Sequence, residues 1–241
     1  MELKGKVAVV TGGSKGYGKG IAKALKENGC RVWILSSTYK DLENTAAEIG
    51  VNLALCDITK SSDWDNALKK IIGEEKRIDI LINNAGAGVS VKNLVEQSDE
   101  EINYSIMLNL TGHIYGISRT AKIMSLQKSG IIINISSLCA DYAWPGWSVY
   151  SAAKAGIEML ARCLHNELRM DNVRVTTITP SWGATSFLKA ANLADFSPDL
   201  INKVMTPEDM GELVVKVCTI GEHLNIPKLS IKPMVQEINP M

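Results

Sequence analysis

Val7-Ala8-Val9-Val10-Thr11-Gly12-Gly13-Ser14-Lys15-Gly16-Tyr17-Gly18 runs from four apolar residues into a glycine-rich turn, and helix-forming residues follow from Lys19 to Asn28. Strand, turn and helix in immediate succession is the pattern that decides the fold. Glycine lets the backbone turn sharply and lets a phosphate come close, while the first turn of a helix offers free amides and the positive end of its dipole. Gly12, Ser14, Lys15, Gly16, Tyr17 and Gly18 are therefore the candidate cradle for a dinucleotide pyrophosphate. The alternative is a glycine turn that only joins strand to helix. Gly29 closes the helix.

The alternation continues downstream. Arg31 to Leu35 reads as a second strand, Tyr39 to Ile49 as helix, Val51 to Cys56 as strand, Asp63 to Gly73 as helix, and Ile78 to Ile82 as a fourth strand that stops at Asn83-Asn84-Ala85-Gly86. This order predicts a parallel, doubly wound α/β sheet with right-handed crossovers. Ser98-Asp99-Glu100-Glu101 matches a capping box and predicts a long helix to about Ser125. Gly130 to Ser137 reads as a buried strand, and Val173 to Thr179 as a sixth strand followed by Pro180. Ser181 to Met205 is irregular and holds Trp182, Phe187 and Leu188, so residues 181–205 are expected to form a lid or binding loop. Thr206-Pro207-Glu208-Asp209 restarts helix with a capping threonine, an N1 proline and an acidic first turn. Leu229 to Pro233 alternates like a final strand. Without a linker or an internal repeat, residues 1–241 are expected to form a single domain.

Composition bounds the partners. With 26 basic and 26 acidic residues and no basic cluster, the chain is not expected to bind nucleic acid or a membrane surface, and the ligand is expected to be small. Cys30, Cys56, Cys139, Cys163 and Cys218 are scattered, odd in number and without a Cys-x-x-Cys pair, which predicts a reducing compartment, no disulfide framework and no metal site. The opening residues carry no apolar signal region and no stretch reaches about 18 apolar residues. A cytoplasmic protein is expected.

The chemistry centres on Tyr150-Ser151-Ala152-Ala153-Lys154. Four residues on a helix separate phenol and ammonium by about 6 Å of rise and set them on one face. Tyrosine, with a pKa of about 10, is a poor proton-transfer group at neutral pH, and burial raises it further. A buried Lys154 is expected to oppose that by supplying part of a shift of about three units, about 4 kcal/mol. Ser137, at the carboxyl end of a central parallel strand, faces the crevice where such sheets bind ligands, and is placed to polarise a carbonyl that Tyr150 protonates. Asn109, inside a helix, is either a satisfied buried amide or part of the site. His113, His165 and His223, on separate predicted helices without ligand spacing, read as structural. Asp57 either touches an adenine or caps the next helix.

Together, Thr11 to Gly18, Asn83-Asn84-Ala85-Gly86, Ser137 and Tyr150-x-x-x-Lys154, with Asn109 at the family's helix asparagine, resemble the classical short-chain dehydrogenase/reductase family from about Lys4 to Thr185. The resemblance implies a seven-stranded Rossmann sheet flanked by helices, a nicotinamide cofactor, and hydride transfer between alcohol and carbonyl. It implies that Tyr150 gives the proton, Ser137 polarises the carbonyl, Lys154 holds the nicotinamide ribose and tunes Tyr150, and Asn109 organises a water-linked relay. It further implies that Asn83, Asn84, Ala85 and Gly86 line adenosine and ribose, Asp57 and Ile58 the adenine, and Pro180 and Thr185 the carboxamide side.

Two departures limit this. Ser181 follows Pro180 where the family usually has glycine, and no Asp-Gly-Gly follows the last strand; Asn225 to Pro233 instead resembles the NADP-dependent 3-hydroxy acid dehydrogenase and carbonyl reductase branch. The 3-oxoacyl-thioester (acyl carrier protein) reductases share the core motifs and are the enzymatic alternative, and a non-catalytic nucleotide sensor is the other. Cys139, Trp144, Trp147, Trp182 and Phe187 are candidate pocket residues, with Lys189 the nearest cation in sequence. NADP(H) is expected over NAD(H), because Ser36 and Ser37 stand where a carboxylate would repel a 2′-phosphate and Lys15 supplies a cation, unless Lys15 is only a solvated surface side chain. A homodimer or homotetramer is implied by the family, and Ala152, Ala153, Ala155 and Gly156 permit close helix approach, whether between subunits or within one.

Overall fold

β1 (Val7–Thr11) is buried at every position and lies near the middle of the sheet. The computed structural model describes residues 1–88, 91–191, 193–194 and 196–237. The strands β2 (Arg31–Ser36), β3 (Asn52–Leu55), β4 (Ile80–Asn83), β5 (Gly130–Ile135), β6 (Val173–Pro180) and β7 (Lys228–Ile231) join β1 in the order β3-β2-β1-β4-β5-β6-β7, every pair parallel. Helices connect these parallel strands, α1 (Gly16–Glu27), α2 (Tyr39–Ile49) and α3 (Ser61–Glu75) among them. A strand covered on both faces reads as an unbroken apolar run, which is why Val7 to Val10 and Ile131 to Ile133 show no polar alternation.

Successive side chains of β1 enter two separate cores. Ala8 and Val10 pack with Ile21 and Leu25 of α1 and with Met210 and Val214 of a later helix, whereas Val7 and Val9 pack with Trp33, Trp64 and Ile71. Sheet twist and crossover hand leave the carboxyl ends of all seven strands on one crest, where open α/β sheets bind ligands.

Five local readings are refined. The strand expected from Gly130 to Ser137 ends at Ile135, and Ser137 caps the short 3-10 turn that follows it. The helix expected from Ser98 to about Ser125 begins with the predicted capping box, Ser98 and Glu101 each holding the other's amide, but is built as α4 (Asp99–Ile106), a π-helical turn (Met107–Thr111) and α5 (Gly112–Gln127). The segment 181–205 carries α7 (Phe187–Ala190), α8 (Pro198–Ile201) and a bridge between Gly183 and Met205; Asn192 and Asp195 within it lie outside the described residues. The final strand starts one residue earlier than expected and ends at Ile231. His223 lies in a turn after α9 (Pro207–Thr219), not in a helix. Among the described residues no helix is long and apolar enough to cross a membrane.

Candidate active site

A cleft of about 550 Å³ opens at the crest, with the glycine loop at one end and Ser137, Tyr150 and Lys154 at the other. The first end is made of backbone. Gly12 has φ of 63°, and a Cβ on Gly18 would come within 2.2 Å of the Gly12 carbonyl oxygen, so neither position tolerates a side chain without displacement. Thr11 and Asn84 lock this turn to β4. The Thr11 hydroxyl accepts from the amides of Asn84 (3.0 Å) and Ala85 (3.1 Å), and Asn84 Nδ2 donates to the Thr11 carbonyl at 3.0 Å. α1 starts without a side-chain cap at Lys15 and without an acid in its first turn. Its leading amides and its positive end therefore face the cleft uncompensated, the donor set a pyrophosphate needs. These residues fit a dinucleotide.

At the other end, α6 (Ser148–Leu168) carries Tyr150 and Lys154, both buried, one turn apart. Lys154 Nζ donates to the carbonyl of Ile135 at 3.0 Å and lies 5.7 Å from the centre of the Tyr150 ring. Trp147 and Phe187 hold that ring at 5.4 and 5.7 Å between centroids. The Ser137 hydroxyl accepts from the amide of Cys139 at 3.2 Å and favours the ionised Tyr150 by hydrogen bonding to it.

The expected lowering of the Tyr150 pKa does not appear here. Burial pushes it upward, the nearby Cys139 adds to the rise, and the Ser137 hydrogen bond only partly offsets them. The physical reason is orientation: the ammonium lies over the ring and spends a donor on Ile135. Burial also lowers Lys154, to about 8, so it remains mostly charged at pH 7. Tyr150 is thus held as a phenol, a proton donor.

Asn109 occupies the π-helical turn and is fully satisfied. Its Oδ1 accepts from the amide of Ala87 (3.2 Å), and its Nδ2 donates to the carbonyls of Ala87 (3.0 Å) and Ser105 (3.1 Å). A Cβ on Gly86 would meet Asn109 Oδ1 at 2.8 Å and Lys154 Nζ at 3.4 Å, so Gly86 sits between them. Of the two readings of Asn109, the buried amide is observed, and its bonds shape the loop beside Lys154. His113, one turn on, was missed as a site neighbour. Its Nε2 lies 2.6 Å from the Ala85 carbonyl, and burial together with the Lys154 charge lowers its pKa to about 3, so the ring is neutral and donates from Nε2. The spacing of four from Asn109 was the available signal.

Other expected residues lie elsewhere. Asn83 is buried behind the cleft, donating from Nδ2 to Asn134 at 3.0 Å. The Asp57 carboxylate accepts from the amide (3.1 Å) and hydroxyl (2.7 Å) of Thr59, so it ties its own turn; Asp63 in turn accepts from the Asp57 amide at 3.0 Å. Ile58 is buried, and its carbonyl accepts from Trp64 Nε1. Ser37, Asp57 and Ile58 are not among the residues lining the cleft, whereas Ser36 stands at its edge, its hydroxyl accepting from that of cleft-lining Ser14 at 3.3 Å. Lys15 forms an ion pair with Asp41 at 2.6 Å, a partner the motif did not reveal.

Cys139, Trp144, Trp147, Trp182 and Phe187 all line the cleft, as do Pro180 and Thr185. Thr185 meets the glycine loop, since a Cβ on Gly16 would be 3.2 Å from its own Cβ. Lys189 is exposed and outside the lining, whereas Phe196 and Gln236, neither anticipated, belong to it. Behind the site, Lys228 Nζ bridges Asp141 (2.6 Å) and Glu158 (2.7 Å), tying the loop after Ser137 to α6. Among the described residues no three His, Cys, Asp or Glu side chains cluster as a metal site.

Residues 6–195 match the family model for short chain dehydrogenases. An uncharacterised oxidoreductase of Staphylococcus aureus strain MW2 is 30% identical over 235 residues, covering 96% of this chain and 99% of that protein. The closed form of serine dehydrogenase complexed with NADP+ is similar in structure with a TM-score of 0.89 at 27% identity, covering 98% of each chain. The 3-ketoacyl-(acyl-carrier-protein) reductase from Brucella melitensis complexed with NADH gives a TM-score of 0.87 at 25% identity, covering 95% of this chain and 97% of that one.

Proposed function

The chain belongs to the short-chain dehydrogenase/reductase family of nicotinamide-dependent oxidoreductases, and from that premise we propose that it transfers a hydride between NADP(H) and a small carbonyl or alcohol of the ketone or 3-hydroxy acid type. One observation carries this reading. Ser137, Tyr150 and Lys154 line the same cleft as the glycine loop from which the uncapped α1 begins, so proton donor and phosphate cradle share one cavity.

A bound reduced nicotinamide supplies the hydride. Tyr150, buried and held as a phenol, gives its proton to the substrate oxygen as negative charge develops there, and the Ser137 hydroxyl donates a hydrogen bond to the same oxygen. Lys154 keeps a positive charge over the Tyr150 ring and would hold the nicotinamide ribose. Asn109 and His113 fix the Ala85 to Ala87 backbone beside Lys154. The aromatic lining supports a compact, partly apolar substrate.

For the cofactor, the neutral Ser36 removes the repulsion that a carboxylate would exert on a 2′-phosphate, and Lys15 can exchange Asp41 for that phosphate. A 3-oxoacyl-thioester reductase is the second reading, favoured by the likeness to the Brucella enzyme. For assembly, Ala152 and Ala155 face outward on α6 beside Met159, while Ala153 is buried and Gly156 meets Leu110 of its own chain. We therefore expect a homo-oligomer through the outer face of α6; light scattering that finds only a 26.2 kDa particle contradicts it.

The test is steady-state consumption of NADPH and NADH with ketones, keto acids and an acyl-thioester. Turnover of small carbonyls with NADPH favoured is expected. A strong preference for the thioester selects the second reading, and cofactor binding without any turnover contradicts both.

A further inference from the structure

One wall of the cleft has no part in the proton chemistry. After β7 the chain turns, with Gln236 N donating to the Pro233 carbonyl at 3.1 Å, and the Gln236 side chain returns to the end of β6. Gln236 is only 8% exposed and lines the cleft. The β6–β7 ladder ends where Ser181 N donates to the Ile231 carbonyl at 3.1 Å. The next amide, Trp182 N, donates instead to Gln236 Oε1 at 3.4 Å, and the Ser181 hydroxyl donates to the same oxygen. A backbone N–H only donates, so the atom it meets is the amide oxygen, and the orientation of the carboxamide is thereby assigned. Its Nε2 has no hydrogen-bond partner among the described residues and is not sealed in the interior. Ile135 pairs with Ile178 at the end of the β5–β6 ladder; Ser137 and Pro180 each follow two residues on, and Ser181 clasps Gln236 one residue beyond Pro180.

We propose that Gln236 is a specificity residue whose Nε2 donates to a second, uncharged oxygen of a compact carbonyl substrate, with the Ser181 hydroxyl holding it in place. The inference rests on the hydride transfer proposed above and, of the two substrate types given there, selects the uncharged one. Local charge selects the substrate class. The cations lining the cleft are Lys15, paired with Asp41 at the nucleotide end, and Lys154, on Ile135 over the Tyr150 ring. A carboxylate beside Gln236 would shed water without meeting a counter-charge, whereas an ester or ketone oxygen needs a single donor. β-Keto esters and diketones match that demand. Serine at position 181, in place of glycine, supplies the hydroxyl that the clasp requires.

Ethyl acetoacetate and 2-heptanone have equal chain lengths and differ in the second carbonyl and ester oxygen, which makes them the test pair. The parent should reduce the keto ester with the higher kcat/KM. Gln236→Met should lower that value about five- to tenfold, mainly through KM, with 2-heptanone and the NADPH Kd changed less than about twofold. Gln236→Glu still accepts from Ser181 and Trp182 but lacks the donors, so it should show the same selective loss even if Gln236→Met unsettles the turn. Equal losses on both substrates in both variants, or no loss, would overturn the inference and leave the reaction standing. A parent that reduces no carbonyl at all would overturn both.

Discussion

The two ends of the cleft are made of different material. The nucleotide end is backbone from one contiguous stretch, Thr11 to Gly18, clamped by the Asn84 amide. The reaction end is side chains from Ser137, Tyr150, Phe187, Phe196 and Gln236, which are far apart in sequence. A backbone cradle depends on what is absent at each position, chiefly a Cβ; a side-chain pocket depends on which group is present. Substitutions should therefore damage binding at the first end and chemistry or selectivity at the second.

The largest expected effect is at the reaction end. Tyr150→Phe keeps the ring between Trp147 and Phe187 but removes the proton donor, so kcat should fall by about 10²- to 10⁴-fold while the NADPH Kd, read by fluorescence titration, stays within about twofold. A Kd that rose as steeply as kcat fell would erase the contrast between the ends. Gly18→Ala should do the opposite. Its Cβ would lie 2.2 Å from the Gly12 carbonyl oxygen, which forces the loop apart at a cost of about 1–3 kcal/mol, so the NADPH Kd should rise by tenfold or more and saturating kcat should change far less.

pH sharpens the comparison through Lys154, whose pKa burial lowers from 10.5 to about 8. The ammonium is present below that value and lost above it, so kcat/KM for carbonyl reduction should decline as pH rises through about 8, by about tenfold per unit. Stability should move the other way. Between about 8 and 10.5 the unfolded chain binds a proton that the folded chain has released, so this residue's contribution to stability rises with pH across that window. Thermal melts of the parent and Lys154→Met should diverge there, and parallel curves would contradict the burial of the charged group.

The smallest effect belongs to the rim of the nucleotide end. Lys15 has a side-chain exposure of 61% and is already paired with Asp41, so Lys15→Ala should raise the NADPH Kd only about three- to tenfold and leave NADH within about twofold. Ser36→Asp should move the kcat/KM ratio further toward NADH. An unchanged ratio in that variant would remove the electrostatic basis of the cofactor preference.

The comparison also explains what was legible in the sequence. The parallel alternation, the glycine turn between the first strand and helix, the capping box at Ser98 and the capping threonine at Thr206 are local patterns, and each is found in the structure where expected; Ser137, Tyr150 and Lys154 line one cleft. Asp41 beside Lys15, Gln236 beside Ser181 and His113 beneath Ala85 are not local; they meet only after the sheet has set its register. The Tyr150 pKa failed for a related reason. Spacing put phenol and lysine on one face, but the balance between burial and charge depends on where the ammonium points, and it points at Ile135. Asn83 and Asn84 were indistinguishable as neighbours in a motif, yet strand alternation sends one toward Asn134 and the other toward the cleft.

The central claim is that a nicotinamide hydride and a Tyr150 proton meet on one carbonyl carbon–oxygen pair in this cleft. The direct measurement is reduction of ethyl acetoacetate with NADPH deuterated at both nicotinamide C4 positions, followed by mass analysis of the product alcohol. One deuterium on the carbinol carbon, formed by the parent and nearly absent with Tyr150→Phe, is the predicted result. Product without deuterium, or label transferred equally well by Tyr150→Phe, would contradict it.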